Sequence, residues 1–258
     1  MKKGCCLGLL PKELELEARL ALARKVGFEG VEPGTIKKKA DVRALKKAAA
    51  NTGIAIVDIM NSDHWGFPLS SPKKSVVAKS IKGMVTSMQN AHDLGTDCVL
   101  LVPAVVNDEA TYEQALTRSR AAIRKMLPTA KKLGVVIAVE NVWNRFLLGP
   151  VEFNAYVDSF KSPWVKAYFD VGNILIYGWP QQWIRTLGRR IVRMHLKDFD
   201  LKTRQFVPLR EGSVNWPAVR KAIAGVRYNG WLTAEVRGGD EAVLRGISEA
   251  MDKIIAGE

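Results

Sequence analysis

The stretch Lys131-Lys132-Leu133-Gly134-Val135-Val136-Ile137-Ala138-Val139-Glu140 holds the pattern that decides the fold: a helical segment, a glycine, and an apolar run that ends in a carboxylate. A glycine just past a helix adopts the left-handed conformation that ends the helix. The short, mostly apolar run after it predicts a strand that is buried on both faces. The helix before Gly134 is predicted by apolar residues at helical spacing, namely Leu116, Ile123, Met126, Ala130 and Leu133.

The same order of helix, glycine and apolar run recurs along the chain. It is found at Gly27, Gly53, Gly95, Gly188 and Gly230, which precede predicted strands at residues 28–32, 54–60, 98–103, 191–195 and 231–235. Residues 5–9 and 165–170 complete a set of eight units in which a strand is followed by a helix. Such alternation predicts a parallel sheet, and eight units in 258 residues without a linker predict one closed (β/α)8 TIM barrel over residues 1–258. The glycine-rich phosphate turns that are typical of open doubly wound sheets are absent.

Composition excludes several classes of protein. With 47% hydrophobic and 25% charged residues, the chain has the profile of a globular protein rather than a disordered or fibrous one. No apolar run is long enough to span a membrane. The lysines at the N-terminus and the short apolar run after them are interpreted as the first strand, because Pro11-Lys12-Glu13 stands where a signal peptide would have its cleavage site. Three cysteines without a C-x-x-C pair form no disulfide framework, so we expect a cytoplasmic protein.

The charge balance is strongly basic, because 39 lysines and arginines outnumber 26 acidic residues. Clustered cations would indicate nucleic acid as a partner. Here the cations are spread along predicted helices, and no aromatic residues alternate with them as they do in a groove for single strands. We therefore expect solvated helix faces, or a field that attracts small anionic substrates, and no nucleic acid partner.

Four residues with metal-binding side chains lie at the ends of four consecutive predicted strands: Glu140, Asp170, His195 and Glu235. A single acidic residue at such a position is more often a helix cap or an ion-pair partner. In a parallel barrel, however, the C-terminal ends of all strands meet at one rim. Carboxylates and an imidazole that converge there predict a site for a divalent metal ion, with Mn²⁺, Mg²⁺, Co²⁺ and Zn²⁺ as the candidates.

Two cationic residues follow these strand ends at positions of matching parity. Lys197 stands two residues after His195, and Arg237 stands two residues after Glu235, so both are expected to point toward the mouth of the barrel. Each is a candidate for binding a substrate oxygen or phosphate. For Lys197 the alternative interpretation is an ion pair with Asp198 at the rim.

Two further candidates for substrate binding come from the first half of the chain. Glu32 ends the second predicted strand and is expected to bind substrate hydroxyls. His64 lies in the loop of residues 63–72, which mixes hydroxyl, imidazole and aromatic side chains as active-site loops do.

Several short motifs together resemble those of the sugar phosphate isomerase/epimerase branch of the xylose-isomerase-like TIM barrels, with L-ribulose-5-phosphate 3-epimerases and ketose 3-epimerases as the nearest group. The motifs are Val139-Glu140-Asn141, Tyr168-Phe169-Asp170-Val171-Gly172-Asn173, His195-Leu196-Lys197-Asp198, Glu211-Gly212-Ser213-Val214-Asn215-Trp216 and Leu232-Thr233-Ala234-Glu235. The resemblance implies a metal held by Glu140, Asp170, His195 and Glu235, with the two glutamates as proton acceptor and donor. Residues 64–71 are similar to the His-x-x-Phe-Pro-x-x-Ser segment of the phosphate-sugar epimerases.

The chain departs from the free-sugar members of this family at two places. Asn173 stands where ketose 3-epimerases often have a histidine three residues after the metal-binding aspartate. Leu147-Leu148 follows Asn144-Arg145-Phe146 where those enzymes carry a glutamate. Both changes weaken the case for a free ketose, so we expect a phosphorylated one, with Asn173 among the residues that contact it.

The expected reaction is therefore epimerisation or isomerisation of a small ketose through a metal-stabilised enediolate. Both reactions share that intermediate, and the sequence leaves the choice open. A metal-dependent lyase such as an inosose dehydratase, and a non-catalytic sugar-binding barrel, are the alternatives. A DNA repair enzyme like endonuclease IV would need many histidines, and this chain has three. The expected partner is a sugar or sugar phosphate, without nucleic acid or membrane, and a homo-oligomer is left open.

Overall fold

A computed structural model describes residues 1–258 as eight α-helices that surround a parallel sheet. The strands of the sheet are β1 Lys2–Cys6, β2 Gly30–Glu32, β3 Ala55–Ile56, β4 Ile59–Met60, β5 Cys98–Leu101, β6 Val136–Glu140, β7 Val165–Asp170, β8 Ile191–Leu196 and β11 Trp231–Ala234. An antiparallel hairpin lies outside the sheet and consists of β9 Asp198–Asp200 and β10 Gln205–Val207. The helices are α1 Leu16–Lys25, α2 Lys39–Thr52, α3 Lys74–Leu94, α4 Tyr112–Leu133, α5 Pro150–Asp158, α6 Pro180–Leu187, α7 Trp216–Gly225 and α8 Glu241–Ala256.

The sheet closes into a ring through its third strand. The strand order is β3-β2-β1-β11-β8-β7-β6-β5-β4, so the two ends of the sheet are the two halves of one segment. Strand β3 pairs with β2 and β4 pairs with β5, both in parallel. The eight-stranded barrel predicted from the sequence is confirmed, with its third strand in two pieces.

The break in the third strand differs from the continuous strand expected at residues 54–60. The backbone carbonyl of Val57 accepts hydrogen bonds from Thr96 Oγ1 at 2.7 Å and from the Arg193 guanidinium at 3.0 Å. Side chains therefore take the place of a neighbouring strand at this point, and the ladder resumes at Ile59.

The first strand begins and ends earlier than predicted. It covers Lys2–Cys6 rather than residues 5–9, and Leu7–Leu9 forms a turn of 3₁₀-helix, in which Leu10 N–H donates to the Leu7 carbonyl at 3.3 Å. The apolar run outlasts the strand because Leu9 and Leu10 are buried in the core although they leave the sheet.

The predicted glycine signals hold at most helix ends. Gly53 and Gly134 end α2 and α4 in the left-handed conformation, with φ of 68° and 67°. Gly230 is different, because α7 ends at Gly225 and the left-handed residue after it is Arg227, with φ of 57°. None of the eight helices combines the length and the apolar character that crossing a membrane requires.

A buried lysine ties the first strand to the last helix. Lys3 on β1 donates from Nζ to Ser248 Oγ at 2.8 Å and pairs with Asp252 at 2.7 Å, both on α8. The Lys3 side chain is 10% exposed, whereas the Lys25 side chain, which pairs with Glu241 on the same helix, is 62% exposed.

We predict that Lys3→Ala lowers the free energy of unfolding by about 1–3 kcal/mol, because it leaves the buried Ser248 hydroxyl without its partner. Lys25→Ala serves as the control and should change it by less than about 1 kcal/mol, since exposed ion pairs contribute little. Urea denaturation of both variants measures the difference. Equal losses would contradict the role given to Lys3.

Candidate active site

The structure brings together the four side chains that the sequence places at the barrel rim. Glu140 is the last residue of β6 and Asp170 is the last residue of β7. His195 is the second-to-last residue of β8, and Glu235 directly follows β11. Asp170 pairs with His195 across the sheet, and Glu235 N–H extends the ladder by donating to the Leu196 carbonyl. The ligand atoms of the four side chains all lie within 4.8 Å of one another.

His195 is the centre of this group. Its Nδ1 lies 3.0 Å from Glu140 Oε1, 2.9 Å from Glu235 Oε2 and 3.9 Å from Asp170 Oδ2. Its Nε2 lies 2.7 Å from Glu32 Oε2 on the other side of the ring. Burial by itself lowers the pKa of the imidazole, but the Glu32 charge and the other anions raise it well above its usual value.

Lys197 lies among the same carboxylates. Its Nζ is 2.7 Å from Glu235 and 3.1 Å from Asp170. The alternative interpretation, an ion pair with Asp198, is wrong, because Lys197 pairs with these two carboxylates and the Asp198 carboxylate binds a loop instead. Burial works against the charge of Lys197, but the adjacent carboxylates raise its pKa above the usual range, so the side chain stays cationic.

The three carboxylates differ in their affinity for protons. Burial raises the pKa of Glu140 to about 7, although its hydrogen bond with His195 opposes the shift. Burial likewise raises the pKa of Asp170. Glu235 is displaced the other way, because the charges of His195 and Lys197 outweigh burial and lower its pKa. Two glutamates whose pKa values are pushed in opposite directions are a common arrangement for an acid and a base.

Asp170 is held in place by two asparagines. Asn173 N–H donates to Asp170 Oδ1 at 2.8 Å. The side-chain amide of Asn141 donates to the Asp170 carbonyl at 2.8 Å and accepts from the Asp170 N–H at 2.9 Å. Asn173 Nδ2 in turn donates to the Asn141 carbonyl at 3.1 Å. Asn173, expected to contact substrate, is thus placed as a brace for Asp170. Sequence reasoning missed the contribution of Asn141.

His64 and Glu32, which were both expected to bind substrate, are both buried but have different neighbours. His64 is 4% exposed, and its Nδ1 accepts the Val102 N–H at 3.3 Å. Burial lowers the pKa of His64 to about 4, so the ring is neutral and Nε2–H is its remaining donor. The side chain of Glu32 is fully buried behind the His195 ring, so it is placed against the imidazole and not at the surface of the cavity.

A cavity of about 840 Å³ opens from the cluster toward α8. Lys197 and Glu235 line its inner end, and Arg237 lines its wall as an exposed residue. The remaining wall combines residues after the hairpin, such as Leu209, with Ile247 of α8. The cavity therefore joins carboxylates at one end to a mixed apolar and cationic wall.

The β9–β10 hairpin covers this mouth, and the sequence did not predict it. Phe206 of β10 stacks on Trp143, with ring centroids 5.0 Å apart, and lies 5.5 Å from Lys197 Nζ. Asp198 anchors the segment after the hairpin by accepting bonds from Arg210 N–H and Trp216 Nε1, both at 2.9 Å. The sequence signal for the hairpin was the alternation of polar and apolar residues before Asp200, together with Asp200 itself, because aspartate favours the first position of a turn.

A family model described as "Xylose isomerase-like TIM barrel" matches residues 20–255. The L-ribulose-5-phosphate 3-epimerase UlaE of Salmonella paratyphi A is 26% identical over 209 residues, which cover 77% of this chain and 74% of that protein.

Solved structures share the fold along the whole chain. The structure of an L-ribulose 3-epimerase has a TM-score of 0.84 at 20% identity and covers 99% of this chain and 95% of its own. The D-psicose 3-epimerase of Clostridium cellulolyticum H10, solved with D-tagatose, has a TM-score of 0.81 at 19% identity and covers 98% of this chain and 97% of its own. At these identities the likeness establishes the barrel fold.

We predict that Asp198→Ala loosens the segment that covers the mouth, because the buried N–H groups bonded to this carboxylate lose their acceptor. The free energy of unfolding should fall by about 1.5–3 kcal/mol. Trypsin should cut faster after Lys202 or Arg204, which lie in the exposed hairpin turn. Glu211→Ala, an exposed position on the wall of the same cavity, is the control. Cleavage of Asp198→Ala at the rate of this control would refute the anchoring role.

Proposed function

The chain belongs to the xylose isomerase-like TIM barrel family, and on that premise we propose that it is a divalent-metal-dependent epimerase or isomerase of a ketose or ketose phosphate. The observation that carries the proposal is the convergence of Glu140, Asp170, His195 and Glu235 at the mouth of the barrel. The similarity to an L-ribulose-5-phosphate 3-epimerase over most of the chain supports a sugar phosphate as the substrate.

The residues present fit a divalent cation. Three carboxylates and one imidazole form the mixed oxygen and nitrogen donor set that Mn²⁺, Mg²⁺, Co²⁺ or Zn²⁺ accept. Asp170 Oδ2 is buried without a hydrogen-bond partner, although Lys197 Nζ lies 3.1 Å away. This buried oxygen has a cation beside it but no well-aligned hydrogen bond, so it could accept a further ligand, and a metal ion held by these four residues would provide it.

A bound divalent cation would supply Lewis-acid stabilisation of negative charge on the substrate's carbonyl and hydroxyl oxygens. The protein's own residues would move the proton. Glu140 lies on β6 and Glu235 follows β11, so the two carboxylates approach from either side of β7 and β8. A substrate carbon between them would have one carboxylate on each face, and one could remove a proton while the other returns one.

The surrounding residues would hold the substrate. Lys197 and Arg237 are cations that line the cavity and suit substrate oxygens or a phosphate. His64 is buried and does not line the cavity, but its Nε2–H is a remaining donor that would suit a hydroxyl of a substrate reaching beyond the lining. The size of the cavity leaves room for a phosphate beyond a short carbon chain.

The proposal predicts deuterium uptake at carbon when ketoses and ketose phosphates are incubated with the protein and Mn²⁺ in D₂O. Nuclear magnetic resonance of the recovered sugars measures it. Treatment with EDTA should abolish the exchange, and Mn²⁺ should restore it. Loss of water from the substrate would identify a dehydratase instead, and binding without exchange would identify a sugar-binding protein. Either result would refute the proposed reaction.

A second prediction separates the proton carriers from a plain ligand. Glu140→Gln and Glu235→Gln each keep an oxygen for the metal but lose the group that carries the proton, so turnover should fall about 10²–10⁴-fold with modest loss of metal affinity. Asp170→Asn is the matched control, because Asp170 is proposed to hold the metal without carrying a proton. This variant should lose metal affinity, and its rate should recover in part when excess Mn²⁺ is added. Near-normal turnover of both Gln variants with metal bound would show that another pair moves the proton.

A further inference from the structure

The imidazole of His195 lies between two sets of side chains that could hold a metal. On the Nδ1 side are Glu140 and Glu235, with Asp170 beyond them. On the Nε2 side are Glu32 and Cys6, whose ligand atoms also lie within 4.8 Å of those of His195. The direction in which the ring presents its nitrogens therefore decides which carboxylates serve as ligands.

The oxygen of Glu32 that faces the ring is already engaged. Glu32 Oε2 lies 2.7 Å from His195 Nε2 and accepts a hydrogen bond from Cys6 Sγ at 3.2 Å. Cys6 is buried, and its thiol is engaged as the hydrogen-bond donor to this carboxylate oxygen. This oxygen of Glu32 is therefore placed to accept hydrogen bonds from both His195 Nε2 and Cys6 Sγ.

Glu32 also has no other cation within reach. Among the ion pairs of the structure it takes part only in the one with His195, and its side chain is fully buried. Removing one partner of a buried ion pair leaves the other charge uncompensated, so Glu32 and His195 depend on each other. Glu32 does not line the cavity and its carboxylate faces the imidazole, so its contact with the site is through His195.

We propose that Glu32 is a positioning residue: its carboxylate accepts the Nε2–H proton of His195 and so holds the ring with Nδ1 turned toward Glu140, Asp170 and Glu235. Histidine ligands of metals commonly donate their second ring N–H to a carboxylate in this way, which fixes both the tautomer and the ring orientation. The proposal rests on the metal-dependent function above, and it replaces the expectation that Glu32 binds substrate hydroxyls.

Mn²⁺ titration of the full chain tests the consequence for affinity. Glu32→Gln is nearly isosteric but lacks the negative charge, so the Kd for Mn²⁺ should rise about 10–100-fold. Glu29→Gln is the matched control, because Glu29 directly precedes β2, is half-buried, and its side chain accepts a hydrogen bond only from the backbone N–H of Lys3. Its Kd should equal that of the wild type. A folded Glu32→Gln variant with the wild-type Kd would overturn the proposal.

Nitrogen-15 resonance of the imidazole rings tests the geometry directly in the unaltered protein. The chain has only His64, His92 and His195, so the ring signals can be assigned by substitution. We expect a protected, downfield-shifted proton on Nε2 of His195 both with Zn²⁺ and without metal, and we expect it to move upfield in Glu32→Gln. A Zn²⁺-loaded protein with the proton on Nδ1 and a bare Nε2 would overturn the proposal.

The two measurements distinguish failure of this inference from failure of the proposed function. Absence of Mn²⁺ binding by the wild type would refute the metal-dependent function. The Nε2 proton of the metal-free protein would then still decide whether Glu32 holds His195. If Glu32→Gln does not fold, the position of the His195 ring proton in the wild-type protein, on Nε2 or on Nδ1, tests the proposal by itself.

Discussion

The burial of several negative charges around a single imidazole is the constraint on which the rest of the site depends. Four carboxylates surround His195, and three of them are buried, namely Glu32, Glu140 and Asp170. In surroundings with little water, like charges at such distances cost free energy unless protons or cations compensate them. His195 and Lys197 provide part of that compensation. A divalent cation would provide the remainder, which gives the cluster a physical reason to exist.

The barrel makes this concentration of charge possible because its strands are rigid and parallel. Each strand delivers one side chain to the rim, and the ladder fixes that side chain relative to its neighbours, as the pairing of Asp170 with His195 illustrates. Irregular segments then complete the site. The hairpin that carries Phe206 covers Lys197, and the carboxylate of Asp198 keeps the following loop closed against the mouth. A rigid floor and an anchored cover thus shape the cavity.

The sequence predicted the barrel and the convergence of the ligand set because both follow from local signals. Glycines such as Gly134 mark where a helix ends and a strand begins, and parallel strands must end at a common rim. The place of Glu32 behind His195 could not be predicted in this way. It depends on the relative positions of β1, β2 and β8, which are distant in the chain and come together only in the closed barrel. The hairpin was missed for a different, local reason: its turn has Arg204 in the left-handed conformation and lacks the glycine that usually marks such a turn.

The most direct test of the metal centre is anomalous scattering from a crystal of this protein grown with Mn²⁺. The account predicts one strong peak enclosed by Glu140, Asp170, His195 and Glu235, on the Nδ1 side of the imidazole. Metal–ligand distances should be close to those of ordinary first-row ions, about 2.0–2.2 Å. A site that stays empty at saturating Mn²⁺, or a peak on the Nε2 side between Glu32 and the ring, would contradict it.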